Sequence, residues 1–408
     1  MNNSPIIRQD YVEILQNWQG KPVIKVITGL RRSGKSTLLA LFINHLKNNG
    51  ISENRIIHIN LEHLENEHLL HYRTLHDEIL RRCQSDEKHF VLIDEIQNVL
   101  DFQKAVDSLY VRDNIDLYIT GSNAFLLKGN LATLLSGRFV EIPVLPLSFA
   151  EFYSVYHKKN KSDERIFSDY LYQGSMPALI HFHNDDNNIR DYLMGVVNTV
   201  LLKDIMARLN LSSATMLETI TAYLFDNIGN LTNATKIANT LTTIGNKTNT
   251  KTVSNYIQGL TDAYIFYPVQ RYDIRGKKIL KQQRKYYATD LGMRRIFLTS
   301  NGIRDDGRLL ENIIYLELLR RYKKVYIGQT QYGEIDFIVD NVDELQYFQV
   351  ALSVKDPQTF AREISSFQGI SDNYPKYLIT MDDSREISHN GIKQIYAIDW
   401  LLNRHISK

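Results

Sequence analysis

The feature that most constrains this chain of 408 residues is a glycine-rich segment between a strand pattern and a helix pattern. Residues Gly29–Thr37 read GLRRSGKST and match G-x-x-x-x-G-K-[ST] at every fixed position. The run PVIKVIT at 22–28 has the β-branched character of a buried strand. The residues after the motif have helical apolar spacing up to Asn-Asn-Gly at 48–50. This arrangement predicts an α/β fold with the loop at the carboxyl end of a strand.

The chemistry of this motif is phosphate binding. Its glycines let the backbone turn so that successive N–H groups point at phosphate oxygens, and the following helix adds its positive dipole end. We expect Lys35 to reach the β and γ phosphates and the Ser36 hydroxyl to bind Mg²⁺. The predicted cofactors are therefore ATP and Mg²⁺. The predicted nucleotide-binding residues are Gly29, Leu30, Arg31, Arg32, Ser33, Gly34, Lys35, Ser36 and Thr37.

The second half of the predicted site is an acidic pair at the end of another apolar run. Residues 90–93 read FVLI and are followed by Asp94 and Glu95. We expect Asp94 to hold Mg²⁺ together with Ser36, and Glu95 to orient and deprotonate the attacking water. The alternative is that Asp94 and Glu95 are only an acidic helix cap after a strand. The presence of a phosphate loop in the same predicted sheet makes this alternative the weaker one.

Two later positions are further catalytic candidates. Ser122 and Asn123 lie at the carboxyl end of the strand pattern at 116–124, and Asn123 is predicted to position the attacking water, with a plain turn as the alternative. Arg138 precedes the strand pattern at 139–148. It is predicted to stabilise charge in the transition state, either in its own site or in that of a neighbouring copy. The alternative for Arg138 is a structural, ion-paired arginine.

The order of strand and helix patterns predicts the domain organisation. Strands alternate with helices through residue 150, which indicates a parallel sheet covered on both faces. A helical segment follows, then two short helices with a basic hairpin, and then a second α/β pattern. We therefore expect a P-loop NTPase core, a helical lid, a winged helix and a last α/β domain, with the ranges 1–150, 151–230, 231–300 and 301–408.

Several of these segments together resemble a known family. Taken in order, GLRRSGKST, FVLIDEIQ, YITGSNA, LLSGRF and PLSFAEF resemble the bacterial and archaeal P-loop ATPases of the AAA+ superfamily. The later segments YLYQGSMPAL and LLKDI, with the basic aromatic stretch after them, are similar to the same group. The resemblance covers nearly the whole chain and implies ATP binding and hydrolysis. It also implies a C-terminal domain of unknown function whose fold is similar to that of restriction endonucleases.

The stretch 231–295 is the candidate nucleic-acid contact. Two helix patterns are followed by residues 271–295, which carry nine basic and two acidic side chains around a turn at Gly276. Lys251, Ser254 and Asn255 are side-chain types that contact phosphates and base edges when exposed. This predicts a helix-turn-helix with a wing that binds DNA. The alternative is a winged helix that serves as a lid and protein-interaction module.

The last segment has the outline of a metal-dependent nuclease but lacks two of its charges. Glu311 lies on a helix pattern and Asp336 on a strand pattern. Such a nuclease needs Glu-x-Lys on the following strand, where this chain has Gln349 and Ala351. We therefore expect a nuclease-like fold without nuclease activity.

Composition excludes other classes and predicts a location. Lys and Arg total 48 against 46 Asp and Glu, so any nucleic-acid patch must be local. The single cysteine, Cys83, excludes an internal disulfide framework and a four-cysteine zinc site. Because no apolar run reaches about 18 residues and the first residues lack a signal-peptide pattern, we expect a cytoplasmic protein without a membrane partner.

These patterns predict an ATP-hydrolysing motor or switch that acts on nucleic acid or on a protein partner, and that forms a homo-oligomer with ATP. One alternative is a nucleotide-gated binding module with slow turnover. The other is an ATP-dependent nuclease, which Gln349 and Ala351 disfavour.

Overall fold

The computed structural model describes residues 6–124, 137–157, 161–182, 185–209, 211, 213–298, 305–341, 344–383 and 387–404. The chain divides into two compact units. The first contains Met1–Pro146 together with Asp262–Tyr264, and the second contains Leu147–Thr261 and Ile265–Lys408. The short segment Asp262–Tyr264 thus belongs to the first unit although the chain on both sides of it belongs to the second.

The first unit is a parallel α/β structure. Its sheet has five strands in the order β2-β3-β4-β1-β5, and all of its strand pairs are parallel. The strands are β1 (Ile24–Thr28), β2 (Ile56–Asn60), β3 (His89–Asp94), β4 (Ile115–Thr120) and β5 (Phe139–Pro143). The helices are α1 (Gln9–Trp18), α2 (Lys35–Asn48), α3 (Tyr72–Arg82) and α4 (Phe102–Tyr110), and 3₁₀ turns span Glu53–Arg55, Leu64–Leu69 and Ile96–Asn98.

Both faces of this sheet are covered, as expected from the near-continuous apolar strands. Along β3, Val91 and Ile93 belong to one apolar cluster, whereas Phe90 and Leu92 belong to the other. The first cluster continues into α3 and α4 and the second into α1 and α2. Because the sheet is fixed from both sides, the carboxyl ends of its strands form one rigid edge.

The second unit begins with helices and ends with a mixed sheet. Its helices are α5 (Phe149–Tyr156), α6 (Asp163–Gln173), α7 (Asp186–Thr199), α8 (Ala214–Asp226), α9 (Ala234–Thr243), α10 (Thr250–Asp262, whose last residue belongs to the first unit), α11 (Leu291–Phe297), α12 (Asp306–Arg321), α13 (Pro357–Ser365) and α14 (Ala397–Leu401). A π-helical turn spans Val200–Met206, a short helix spans Ala207–Leu209, and 3₁₀ turns span Pro177–Phe182 and Ser366–Gly369.

The sheet of the second unit has eight strands in the order β12-β13-β11-β10-β9-β8-β6-β7. They are β6 (Phe266–Asp273), β7 (Lys278–Ala288), β8 (Val325–Gln329), β9 (Glu334–Asn341), β10 (Glu344–Ala351), β11 (Lys376–Thr380), β12 (Ile387–His389) and β13 (Ile392–Tyr396). Strands β6 and β7 form an antiparallel hairpin, and β6 pairs in parallel with β8. The hairpin predicted as a wing and the predicted last domain therefore share one sheet.

Candidate functional site

The glycine-rich loop lies at the carboxyl end of β1 and leads directly into α2. Gly29 has φ +142°, and a Cβ atom there would lie 2.2 Å from the carbonyl oxygen of Val144. Gly34 has φ +100° at the residue before the helix. Only glycine adopts these conformations without strain, and at Gly29 the neighbouring backbone also leaves no room for a side chain. The two fixed glycines of the motif are thus required by the local geometry.

The polar residues of the motif surround the amino end of α2. Lys35 is the first residue of the helix, and its Nζ atom donates to the carbonyl oxygens of Gly29 (3.0 Å) and Leu30 (3.1 Å). Lys35 is buried at 4% exposure, whereas Ser36 and Thr37 are exposed. The ammonium is therefore inside the loop, and the two hydroxyls face solvent at the helix end where an anion binds.

Arg8 supports the loop from outside and was not predicted from the sequence. Its guanidinium is 2% exposed and donates to the carbonyl oxygens of Ser33 (3.0 Å), Leu145 (2.9 Å) and Pro146 (3.1 Å). These bonds tie the loop to the segment after β5. No motif marks Arg8, because its partners are backbone atoms that lie up to 138 positions away.

The predicted acidic pair lies at the same edge of the sheet. Asp94 ends β3 and is fully buried, and its Oδ1 accepts a hydrogen bond from the Thr120 hydroxyl at the end of β4. The same Thr120 oxygen accepts from the Glu95 backbone N–H at 3.0 Å. Asn60, at the end of β2, donates to Asp94 Oδ2 at 3.4 Å. Three neighbouring strands thus fix the position of this carboxylate.

Glu95 is held in an uncommon conformation. Its φ of +56° lies in the left-handed region, which a non-glycine residue adopts only when its surroundings enforce it. The Gln97 side-chain amide donates to its Oε2, and the residue is 7% exposed. The turn after β3 therefore gives Glu95 a defined position instead of a free surface rotamer.

The remaining catalytic candidates lie at opposite edges of the sheet: Ser122 and Asn123 at the edge of the loop, and Arg138 at the other. Ser122 and Asn123 are buried and come directly after β4, the strand between β3 and β1.

The Arg138 carbonyl oxygen accepts from the Ile24 N–H, at the amino end of β1. At about 3.3 Å per residue this is roughly 16 Å from the loop at the other end of that strand. The structure thus does not bring Arg138 to the loop of its own chain.

The Arg138 side chain has partners at that far edge. Its Nη1 lies 2.5 Å from Asp107 Oδ1 on α4, and its guanidinium lies 5.6 Å from the Tyr110 ring centre. The side chain remains 43% exposed. The sequence context of Arg138 extends into residues 125–136, which lie outside the described part of the chain.

The donor set suits Mg²⁺ held jointly with a nucleotide. Mg²⁺ is commonly bound through one or two protein oxygens together with substrate phosphates and water. Asp94 presents a preorganised carboxylate, and Ser36 presents an exposed hydroxyl at the helix end. Within the described ranges, no group of three or more His, Cys, Asp and Glu side chains could hold a metal ion by itself. Phosphate oxygens of the nucleotide and water would supply the other ligands.

Helix α10, the second helix of the predicted winged helix, presents a polar stripe. In α10, the residues Lys251, Ser254, Asn255 and Gln258 are exposed, while Val253, Tyr256, Ile257 and Leu260 are buried. The exposed positions are three or four residues apart and so lie on one face of the helix. At the hairpin tip, residues 275–279 are exposed and include Arg275, Lys277 and Lys278. Nothing is described of the Lys281 side chain.

Lys285 is not part of this exposed basic surface, contrary to what the sequence pattern suggested. It is 5% exposed, and its Nζ lies 2.9 Å from Glu311 Oε1 and 2.7 Å from Glu334 Oε1. Asp336 Oδ1 lies 3.9 Å away. Burial lowers the pKa of the Lys285 ammonium, but the charges of these three carboxylates outweigh it and raise the pKa above its ordinary value. The basic run therefore contains one inward-facing cation.

The predicted nuclease-like positions do converge on this cluster. Burial, and then the charge of Glu311, raise the pKa of Asp336 well above its ordinary range. Gln349 Oε1 accepts from the Asp336 N–H at 3.3 Å, and its Nε2 donates to Glu363 at 2.8 Å. Ala351 packs in the apolar core. The positive charge of this cluster thus comes from Lys285 on the hairpin, whereas β10 has Ala351 where a nuclease would have a lysine.

None of the described helices is long and apolar enough to span a membrane.

Comparisons with known proteins agree with the architecture of the first unit. Residues 21–153 match the family described as "AAA domain", and residues 164–303 match a "Domain of unknown function (DUF8612)". The Walker-type ATPase of Pyrococcus abyssi has a TM-score of 0.50 at 15% identity, over 72% of this chain and 95% of its own, which is a likeness of fold. The expected restriction-endonuclease-like domain, at 301–408, lies almost entirely beyond both matched ranges.

Two relatives extend over most of the chain. An uncharacterized protein of Methanocaldococcus jannaschii is 28% identical over 88% of this chain and 82% of its own length. An uncharacterized protein of Haemophilus influenzae is 39% identical over 98% of this chain and 100% of its own. The chain therefore belongs to the same family as the Haemophilus influenzae protein, and it carries an AAA-type P-loop ATPase domain in its first unit.

Proposed function

We propose that the chain binds ATP with Mg²⁺ at the loop Gly29–Thr37 and hydrolyses it with the help of Asp94 and Glu95. One observation carries this proposal: the loop and the acidic pair lie at the same edge of one parallel sheet, on strands separated only by β4. The crevice at the carboxyl ends of the strands is where open α/β sheets bind their ligands.

Each side chain has a role that follows from its position. The Lys35 ammonium would neutralise charge on the β and γ phosphates. Ser36 and Asp94 would hold Mg²⁺, which would neutralise the charge that develops on the phosphates. Glu95 would take the proton from the attacking water, and Asn123 would orient that water from the end of β4. Leu30, Arg31, Arg32 and Ser33 would contribute backbone N–H groups around the phosphates.

The roles of Glu95 and Arg138 have different structural support. Glu95 is fixed by its strained turn and by Gln97, so its carboxylate needs little reorganisation to act. Arg138 lies at the opposite edge of the sheet. An action on phosphate would therefore have to occur in the site of a neighbouring copy, which accords with the proposed homo-oligomer.

Lys35→Ala tests the binding site directly. The matched control is Lys47→Ala, which removes the same side chain from the solvent-exposed end of α2, where Lys47 pairs with Glu53. We expect calorimetry with Mg²⁺ and ATP to show loss of tight binding in Lys35→Ala and unchanged binding in Lys47→Ala. Equal affinities in the two variants would refute the assignment of the loop.

The protein would use the energy of ATP hydrolysis as a motor or a switch. The ATPase rate distinguishes this function from that of a binding module that hydrolyses ATP slowly. A motor is accelerated by the partner on which it acts, whereas a gated binding module turns over slowly with or without it. The steady-state ATPase rate with and without DNA of several forms, measured alongside gel filtration with ATP, separates the two.

DNA is the partner that the second unit favours. Two features support this proposal: α10 has an exposed stripe whose side chains suit phosphates and base edges, and the tip of the β6–β7 hairpin is exposed and basic. A recognition helix with a basic wing at its side is a known way of binding duplex DNA. The competing function of this surface is a protein-binding lid.

A double variant tests the DNA contact. If Lys277 and Lys278 neutralise phosphates, replacing both by Ala should weaken binding to all sequences equally. The slope of log K against log salt should fall by about 1.8, or 0.9 for each lost contact. Asn255→Ala should instead reduce discrimination between sequences. Absence of DNA binding by the parent protein at low salt would favour the protein-binding function.

The nuclease alternative requires a metal where the structure has an ammonium. Lys285 Nζ is within hydrogen-bonding distance of both Glu311 and Glu334, two of the oxygens that a metal would need. Gln349 cannot supply the missing carboxylate charge because its amide is neutral, and its Nε2 already donates to Glu363. We therefore propose that the second unit binds without cutting.

A further inference from the structure

Tyr264, the second residue after helix α10, connects to the phosphate loop by a short chain of hydrogen bonds. Tyr264 belongs to the first unit and is 6% exposed. Its hydroxyl donates to Glu141 Oε1 at 3.1 Å. The same oxygen accepts from the Thr28 hydroxyl at 2.7 Å. Thr28 is fully buried, ends β1, and immediately precedes Gly29 of the loop.

The protonation state of Tyr264 fits a donor role. Burial, and then the charge of Glu141, raise the pKa of its hydroxyl above the ordinary value. The hydroxyl therefore keeps its proton at neutral pH and gives it to the carboxylate. Glu141 lies on the edge strand β5 and is exposed, so without Tyr264 its carboxylate can turn towards water.

The backbone at Tyr264 is also constrained. Its φ of +58° is a genuine outlier for a bulky aromatic residue and persists only where surrounding contacts enforce it. Asp262 is the last residue of α10 and only Ala263 separates it from Tyr264, so a shift of Tyr264 acts close to the end of that helix. A strained and buried residue between a phosphate loop and a polar helix is well suited to transmit changes between them.

We propose that Tyr264 is a positioning residue that couples the phosphate loop to helix α10 through Glu141 and Thr28. Nucleotide in the loop changes the position of Thr28, the shared Glu141 oxygen passes this to Tyr264, and Tyr264 sets the end of α10. By reciprocity, a ligand on α10 changes nucleotide affinity by the same factor. Both parts of this inference rest on the proposed function: the nucleotide part on ATP binding at the loop, and the DNA part on DNA binding by the second unit.

The test compares Tyr264→Phe with Tyr256→Phe. Both remove one buried hydroxyl. That of Tyr256 lies on α10 and donates to the Ser213 carbonyl oxygen at 3.3 Å, with no described link to the loop. Glu141→Ala is a second variant at the centre of the chain, on an exposed edge strand where a change of side chain is tolerated.

The first readout needs nucleotide only. Hydrogen exchange of the peptide 260–266 is followed with and without a non-hydrolysable ATP analogue and Mg²⁺. We expect the analogue to slow exchange in the wild type and in Tyr256→Phe, and to have little effect in Tyr264→Phe and Glu141→Ala. An equal response in all four proteins, or no response in a wild type that calorimetry shows to bind the analogue, overturns the coupling, whereas absence of binding refutes the nucleotide site itself.

The second readout measures reciprocity. The Kd for duplex DNA is determined with and without the analogue, and the Kd for the analogue is determined with and without DNA. In the wild type both ratios should equal one factor of about fivefold or more, and in Tyr264→Phe both should fall close to one. Retention of the full factor in Tyr264→Phe overturns the inference. If the wild type binds no DNA, the proposed DNA function is refuted. The hydrogen-exchange result alone then tests whether Tyr264 couples the loop to α10.

Discussion

Replacing Lys285 by Met tests whether an internal cation holds the second unit together. Methionine keeps much of the apolar volume and removes the charge. The ammonium lies 2.9 and 2.7 Å from the carboxylates of Glu311 and Glu334, so each attraction is about 6 kcal/mol at an effective dielectric constant of about 20. Much of this is offset by the cost of desolvating the charges. Removing one partner of such a buried cluster nevertheless costs about 3–5 kcal/mol, since the remaining charges stay buried.

The assay uses the fluorescence of Trp400, which is 3% exposed and belongs to the second unit. Trp18, the other tryptophan, is replaced by Phe in all variants. For a domain of 150–250 residues, 3–5 kcal/mol corresponds to a fall in Tm of about 6–20 °C. The matched control is Lys324→Met, because Lys324 is 61% exposed and pairs with Asp340 at 3.5 Å. An exposed pair contributes about 0–1 kcal/mol.

The stability difference between the wild type and Lys285→Met should also change with pH in a definite direction. The folded-state pKa of Asp336 is raised, so its contribution to stability is complete below its unfolded pKa and is lost as the pH rises through the folded value. Without the ammonium this loss becomes larger. We therefore expect Lys285→Met to be closest to the wild type in acid and to fall behind it as the pH approaches neutrality. A difference below about 1 kcal/mol at neutral pH would refute the role of Lys285.

Three further predictions concern other parts of the chain. Gly29→Ala should abolish ATP binding, since its Cβ would lie 2.2 Å from the Val144 oxygen; wild-type affinity by calorimetry would contradict the loop geometry. Purified protein should cleave neither DNA nor RNA with Mg²⁺ or Mn²⁺, with or without ATP, and cleavage that disappears in Asp336→Ala would restore the nuclease alternative. If Arg138 acts on a neighbouring copy, mixing inactive Arg138→Ala with inactive Lys35→Ala should recover part of the ATPase rate, and no recovery would argue against that role.

The sequence was most informative where local pattern and chemistry coincide. The run FVLI before Asp94 is short and rich in strand-forming residues, which favours a buried strand, and β3 ends at the predicted aspartate. The loop at 29–37 likewise follows from glycines whose φ values no other residue adopts easily. In both cases the determining contacts are local, so a short window of sequence contains them.

Long-range contacts were not visible in the sequence. Lys285 stands in a basic run, and only the folded sheet brings it to Glu311 and Glu334, respectively 26 and 49 positions later. The hairpin pairs with β8 through Arg271 and Ile327, which join segments predicted as separate domains. The hydrogen bonds of Arg8 go to backbone carbonyl oxygens, which no sequence motif marks.

The most direct measurement of the central claim is ATP binding and turnover by Glu95→Gln. The amide keeps the size of the side chain and can still bond Gln97, but it cannot accept the proton of water. The control is Glu53→Gln, the same change at an exposed residue paired with Lys47. We expect Glu95→Gln to bind Mg²⁺ and ATP as the wild type does and to hydrolyse it roughly 10²-fold more slowly or worse, while Glu53→Gln is unaffected. Wild-type turnover by Glu95→Gln would contradict the proposed mechanism.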